Sequence, residues 1–165
     1  NVHGLAGLRA SNSNGDVVAK NVSAAKLDTI NENGDTLLSG VEADAILATN
    51  FNGDISLGGA TAREAEVVNE SGDIMLVNMT LESALTCNSV NGDISAQRLD
   101  VVTSSVENAN GDIYLSYLGD ESAYRIDAHS NLGDVDAPHG GDGSVDRAID
   151  VDSGLGDIQI NFTSK

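Results

Sequence analysis

Eight aspartates, Asp16, Asp35, Asp54, Asp73, Asp93, Asp112, Asp134 and Asp157, each follow a glycine, and those glycines lie 19, 19, 19, 20, 19, 22 and 23 residues apart. A row of carboxylates at a fixed chain interval admits two chemistries. Hard divalent cations such as Ca²⁺ take carboxylate and carbonyl oxygens. Alternatively, each carboxylate accepts backbone N–H groups within its own turn, as Asp does in tight turns. Neighbouring carboxylates one strand spacing apart, about 4.8 Å, repel by roughly 1 kcal/mol in water and by more beside a protein surface. Turn capping is therefore the expected role, with a metal-binding cation ladder as the alternative. The Gly-Gly-x-Gly-x-Asp signature of calcium β-rolls is absent from the sequence, which speaks against dedicated calcium binding.

A second set of polar groups falls in the longest intervals. Asp134, Asp136, His139, Asp142 and Asp146 surround Pro138 and Gly140-Gly141. Insertions in repeats become loops and often carry function. Asp and His are metal-ligating types, but this spacing matches no established site, and a solvated acidic loop is expected. Catalysis has little support. The aromatics are only Phe51, Tyr114, Tyr117, Tyr124 and Phe162, and the basic residues are scattered. A polysaccharide-cleaving groove needs paired carboxylates beside Arg or Lys, with aromatic platforms. No Gly-x-Ser-x-Gly nucleophile motif is present either. The chain is expected to be no enzyme and to carry no cofactor.

The elements that position these residues follow from the same period. Two residues after each glycine lie Val17, Thr36, Ile55, Ile74, Ile94, Ile113, Val135 and Ile158; four after lie Ala19, Leu38, Leu57, Leu76, Ala96, Leu115, Ala137 and Ile160. Seven before lie Leu8, Leu27, Ile46, Ala65, Leu85, Ser104, Ile126 and Ile149; five before lie Ala10, Thr29, Ala48, Val67, Cys87, Val106, Ala128 and Val151. Residues two apart share one face of a strand. Each repeat therefore offers two short strands with apolar inward positions, joined at the Gly-Asp turn. A third inward contact is expected seven after the glycine, at Val22, Val41, Ala60, Met79, Leu99 and Leu118. One coil cannot bury its own apolar face, whereas stacked coils can. The expected fold is all-β: a single-stranded parallel β-helix, or β-solenoid, of about eight coils of roughly 19–23 residues. Seven steps in chain order make a rod about 34 Å long. Right-handed winding is expected from the general preference of crossovers.

Two further columns carry expectations. Three before the glycine lie Asn12, Asn31, Asn50, Asn69 and Asn108, with Ser89, Ser130 and Ser153 in the other copies. Parity points them inward, and buried amides need partners, so a structural ladder is expected, bonding amide to amide and to turn backbone. Three after the glycine, parity points outward. Val18, Leu37, Met75 and Tyr114 make that column apolar where a protein this acidic should be polar. A contiguous apolar stripe marks a contact surface, for self-association or for a partner, although β-propensity alone also favours such residues.

Composition narrows the partners. The 165 residues hold 26 acidic and 8 basic side chains, a net charge of -18. Nucleic acid and anionic membranes both demand Lys/Arg patches, so neither fits. A protein or a glycan remains, as does a homo-oligomer. Cys87 is the only cysteine, so no intrachain disulfide forms. No run of 18 apolar residues exists, so direct membrane insertion by a helix is not expected. Residues 1–165 are expected to form one solenoid domain, a piece of a longer protein.

The repeated Asn/Ser-Gly-Asp-Ile/Val-x-Leu/Ala unit, as in Asn52-Gly53-Asp54-Ile55-Ser56-Leu57 and Ser71-Gly72-Asp73-Ile74-Met75-Leu76, resembles the bacterial adhesin-type domain family. The resemblance covers nearly the whole chain. It implies a β-helix, often on surface or envelope proteins, and it carries over no catalytic residues. The expected function is a non-enzymatic structural or interaction module at the cell surface, with a cytoplasmic location still open. A polysaccharide-binding or polysaccharide-cleaving β-helix and a calcium-stabilised solenoid are the alternatives.

Overall fold

Corners set the path of this chain. A computed structural model describes residues 2–164. At the Gly-Asp corner Gly34 takes φ 123°, a left-handed conformation that side chains rarely adopt. A Cβ there would also lie 2.3 Å from the carbonyl oxygen of Gly15, one coil away. Glycine is thus required twice over, by the backbone angle and by the close approach of neighbouring coils. A second corner falls six residues later, where Asn21, Gly40, Gly59, Asn78 and Arg98 have φ of 53–62°. The sequence reading did not include this column, although Asn and Gly fill four of its five places.

In the first five coils these corners separate three sides. Some strands run straight through the second corner: Val17–Asn33, Thr36–Asn52 and Ile94–Asn110 each span 17 residues. All pairings among the described strands are parallel, and most keep one register, for example Leu8 with Leu27, Leu27 with Ile46, and Ile46 with Ala65. The fold is an all-β solenoid of about eight coils. Its interior is a narrow apolar file in which Ile55, Ile74, Ile94 and Ile113 stack along one side, and Leu38, Leu57, Leu76 and Leu115 lie beside them. A further inward column nine after the glycine, Ala24, Ala62, Leu81 and Val101, is buried on the third side. Leu8 and Ala10 at one end, and Ile126 and Ala128 at the other, are only half-buried, because each lacks a covering coil.

The stacking order departs from chain order. The coil carrying Arg147–Leu155 pairs with Ile94–Asn110 on one side and with Tyr124–Leu132 on the other. Likewise Ile158–Thr163 lies between Ile113–Leu118 and Val135–Asp136. The last coil of the sequence is therefore the penultimate layer, slotted between coils six and seven. The seventh coil ends the stack.

The third side changes where that insertion occurs. Tyr117, not Leu118, is the inward residue of coil six: it pairs with Leu99 across a register shift and is fully buried, while Leu118 is half-exposed. Coil six has no positive-φ residue six after its glycine, so its strand runs on from Ile113 to Leu118 and the inward parity moves by one. Tyr117, Tyr124 and Phe162 then form a three-ring cluster with centroids 5.4–5.6 Å apart. Tyr117 meets Ser104 Oγ at 2.6 Å, and burial pushes its pKa well above the usual phenol range. Arg147 lies over the Tyr124 ring at 4.4 Å, donates to Val101 O, and pairs with Asp100 at 2.8 Å. Three of the five aromatic side chains therefore join coil six, the inserted coil and coil seven.

Candidate functional site

The aspartate column is a hydrogen-bonded ladder. Seven of the eight Oδ1 atoms accept the backbone N–H of the aspartate in the adjacent coil, at 2.8–3.0 Å, running through Asp16, Asp35, Asp54, Asp73, Asp93, Asp112 and Asp157 to the N–H of Asp134. The donor belongs to the next coil, not to the aspartate's own turn. A charge-assisted bond at every step offsets the repulsion between stacked carboxylates.

Two asparagine columns flank it. The inner amides of Asn12, Asn31, Asn50, Asn69 and Asn108 donate to glycine carbonyls of the Gly-Asp corners, at 2.7–3.0 Å. Among the described residues, the Oδ1 atoms of Asn31, Asn50, Asn69 and Asn108 have no hydrogen-bond partner, so these amides do not bond to one another. Amide-to-amide bonding occurs instead in the exposed column just before the glycine, from Asn52 to Asn33 at 3.3 Å and from Asn110 to Asn91 at 3.2 Å.

Beside the aspartates runs the outward column. Its pairing is continuous: Val18, Leu37, Ser56, Met75, Ser95, Tyr114, Gln159, then Asp136. Val18 is 56% exposed, Met75 51% and Tyr114 37%, while Leu37 is half-buried between its neighbours. Asp16, Asp35, Asp54 and Asp73 on one edge and Val18, Leu37, Ser56 and Met75 on the other enclose a groove of about 320 Å³. Hollows of about 530 and 460 Å³ lie elsewhere, lined by residues such as Glu42 and Asp44, or Glu107 and Asp152. Neither sets four register-matched carboxylates beside an apolar column.

The family model described as Toastrack DUF4097 matches residues 3–161. The chain belongs to the Toastrack family. No curated protein and no solved structure matched in the other two comparisons.

In this Toastrack chain the acidic residues of the long seventh coil stay spread out. Asp134, Asp136, His139, Asp142 and Asp146 are all exposed. Asp142 turns back on Ser144, whose hydroxyl and backbone N–H hold its carboxyl below the usual range. Among the described residues, no three His, Cys, Asp or Glu side chains converge as metal ligands. Cys87 is fully buried, and burial pushes its thiol up to about 12, so it is protonated at neutral pH. The aspartate ladder of the Toastrack solenoid leads to a stability expectation. With one oxygen of seven of the eight carboxylates already engaged by backbone, millimolar Ca²⁺ should raise the melting temperature no more than matched ionic strength does. A larger, chelator-reversible rise in a thermal scan would instead identify a cation ladder, by mass action on the folded state.

Proposed function

We propose that this Toastrack solenoid is a non-enzymatic, adhesin-like interaction module at the cell surface or envelope. It takes an extended, cationic, amphipathic protein segment along its second side. The groove between the aspartate ladder and the outward apolar column supports this reading. Four carboxylates recur at one strand spacing along it, and Val18, Leu37 and Met75 supply apolar contact in the same register. An extended peptide alternates its side chains. Basic residues on one face and apolar residues on the other match the two edges, and the net charge of -18 speeds the approach of such a partner.

The test is a fluorescence-anisotropy titration of a labelled peptide of alternating Lys and Val, with oligolysine as control. Tighter binding of the Lys/Val peptide is expected, with affinity falling as salt rises. The Leu37→Glu, Met75→Glu double variant keeps every groove aspartate but should weaken that peptide about tenfold or more, through lost apolar contact. Equal binding by wild type and variant, or no preference over oligolysine, would count against the groove.

A further inference from the structure

Each layer of the solenoid is bound to the next by one directional set of bonds at the Gly-Asp corner. The glycine N–H donates to the carbonyl that precedes the next glycine, as from Gly15 to Asn33 at 2.7 Å and from Gly34 to Asn52 at 2.9 Å. The residue after the aspartate donates to the next aspartate's carbonyl, as from Val17 to Asp35 at 2.8 Å. The aspartate Oδ1 takes the next aspartate's N–H, as from Asp35 to Asp16 at 3.0 Å. The sense is the same from the first layer to the last. At the final layer the Gly133 N–H, the Val135 N–H and the Asp134 Oδ1 have no coil beyond them. At the first layer the Asn14 carbonyl, the Asp16 carbonyl and the Asp16 N–H are the matching groups; among the described residues no strand pairs with that corner, while Val2–Leu5 pairs with Val22 and Ala24 on another side of the same layer.

Charge and apolar surface follow the same polarity. Residues 4–26 hold Arg9, Lys20 and Lys26 against the single acid Asp16. Residues 124–164 hold eight aspartates against Arg125 and Arg147. In the column six before the glycine, Arg9 starts the stack and lies 3.7 Å from Asp28. That column ends with Asp150 and Asp127 side by side, two like charges in register. Leu132 at 71%, Leu155 at 48% and Val135 at 43% exposure gather at the last corner.

We infer that the acidic last layer and the basic first layer form a head-to-tail interface between two copies of this chain. The solenoid then continues from one molecule into the next. Asn14 and Asp16 of the incoming copy meet Gly133, Asp134 and Val135, with the three corner bonds repeated. Arg9 of that copy sits against Asp127 as it sits against Asp28 in its own chain, and Val17 covers Val135. The two patches differ, so the contact is heterologous and does not close on itself; it grows rods. This interface uses the ends of the stack; it shares Asp16 with the side groove but involves neither Leu37 nor Met75.

Sedimentation velocity on the 165-residue chain, from micromolar to millimolar concentration, tests it. Wild type should gain mass steadily with concentration, without stopping at a dimer. Asp127→Arg faces Asp150 within its own fold, which is favourable, but meets Arg9 of the next copy. Its self-association constant should fall about tenfold or more. Val135→Pro removes an edge donor on the last layer and should shorten rods similarly. Asp127→Arg keeps its own first layer, so adding it to wild type should terminate growing rods. The Leu37→Glu, Met75→Glu side-groove variant should associate as wild type does. A wild type that stays monomeric, growth that stops at a dimer, or growth insensitive to both end variants overturns the inference. Loss of growth in the side-groove variant does so too, because it assigns association to the groove.

Discussion

Gly53→Ala should cost at least about 4 kcal/mol of stability, enough to deplete folded protein in a marginally stable chain. Gly53 has φ 122°, and a Cβ built on it lies 2.4 Å from the Gly34 carbonyl oxygen and 2.7 Å from its carbon. The left-handed conformation alone costs alanine roughly 1–2 kcal/mol. The overlap costs more, because the obstructing atoms are backbone of a coil fixed by its own neighbours. Relief requires the coils to separate, which breaks the corner bonds on both sides. Gly58→Ala is the matched control: Gly58 lies outside the left-handed region, and nothing is within 4 Å of its Cβ position. It should change stability by no more than about 0.5 kcal/mol. Urea midpoints for the two variants decide the matter. Similar small shifts would mean that the corner spacing is looser than described.

Ile74→Asp should be comparably severe, for a different reason. Ile74 is 1% exposed and lies between Ile55 and Ile94 in a file one side chain wide. A carboxylate there loses its hydration and finds no cation, at a cost of several kcal/mol. Removing the isoleucine also leaves a void that the neighbouring coils, held by parallel pairing above and below, cannot close. The next residue supplies the comparison, since Met75 points outward and is 51% exposed. Met75→Asp should cost no more than about 1 kcal/mol, from strand propensity and added acidic charge. Circular dichroism during denaturant unfolding separates the two. Cooperative, wild-type-like unfolding of Ile74→Asp would contradict the inward register of the whole column.

The Gly-Asp period exposes the fold in the sequence because a solenoid corner repeats one steric demand at each layer. Ile74 and Leu76 were legible as core on that basis, and so was the outward direction of Val18 and Met75. The second corner was harder to see. Its residues, Asn21, Gly40, Gly59, Asn78 and Arg98, share a backbone angle rather than a chemistry, and Arg98 disguises the column. Tyr117 was misassigned in favour of Leu118, because a fixed offset cannot register a corner that is missing. The stacking order was invisible. Coils seven and eight carry similar inward patterns, so spacing alone does not show which of them is the end layer. The longer intervals there reflect the extra chain needed to step past a layer and return. The direction of the aspartate bonds was likewise hidden, since spacing shows which residues share a corner and not which layer supplies the donor.

Because the last coil of the sequence is an interior layer, the molecule is not assembled as a simple winding. A chain emerging during synthesis completes Tyr124–Leu132 before Arg147–Leu155 exists, yet the former rests on the latter in the final stack. Coil seven therefore has no finished surface to land on until Arg147–Thr163 has been made. Stacking order follows chain order through coil six and departs from it after that. Removing Ile158–Thr163 likewise does not shorten the rod by its end layer: it withdraws Ile158 and Phe162 from inside the stack and leaves the end coil unsupported.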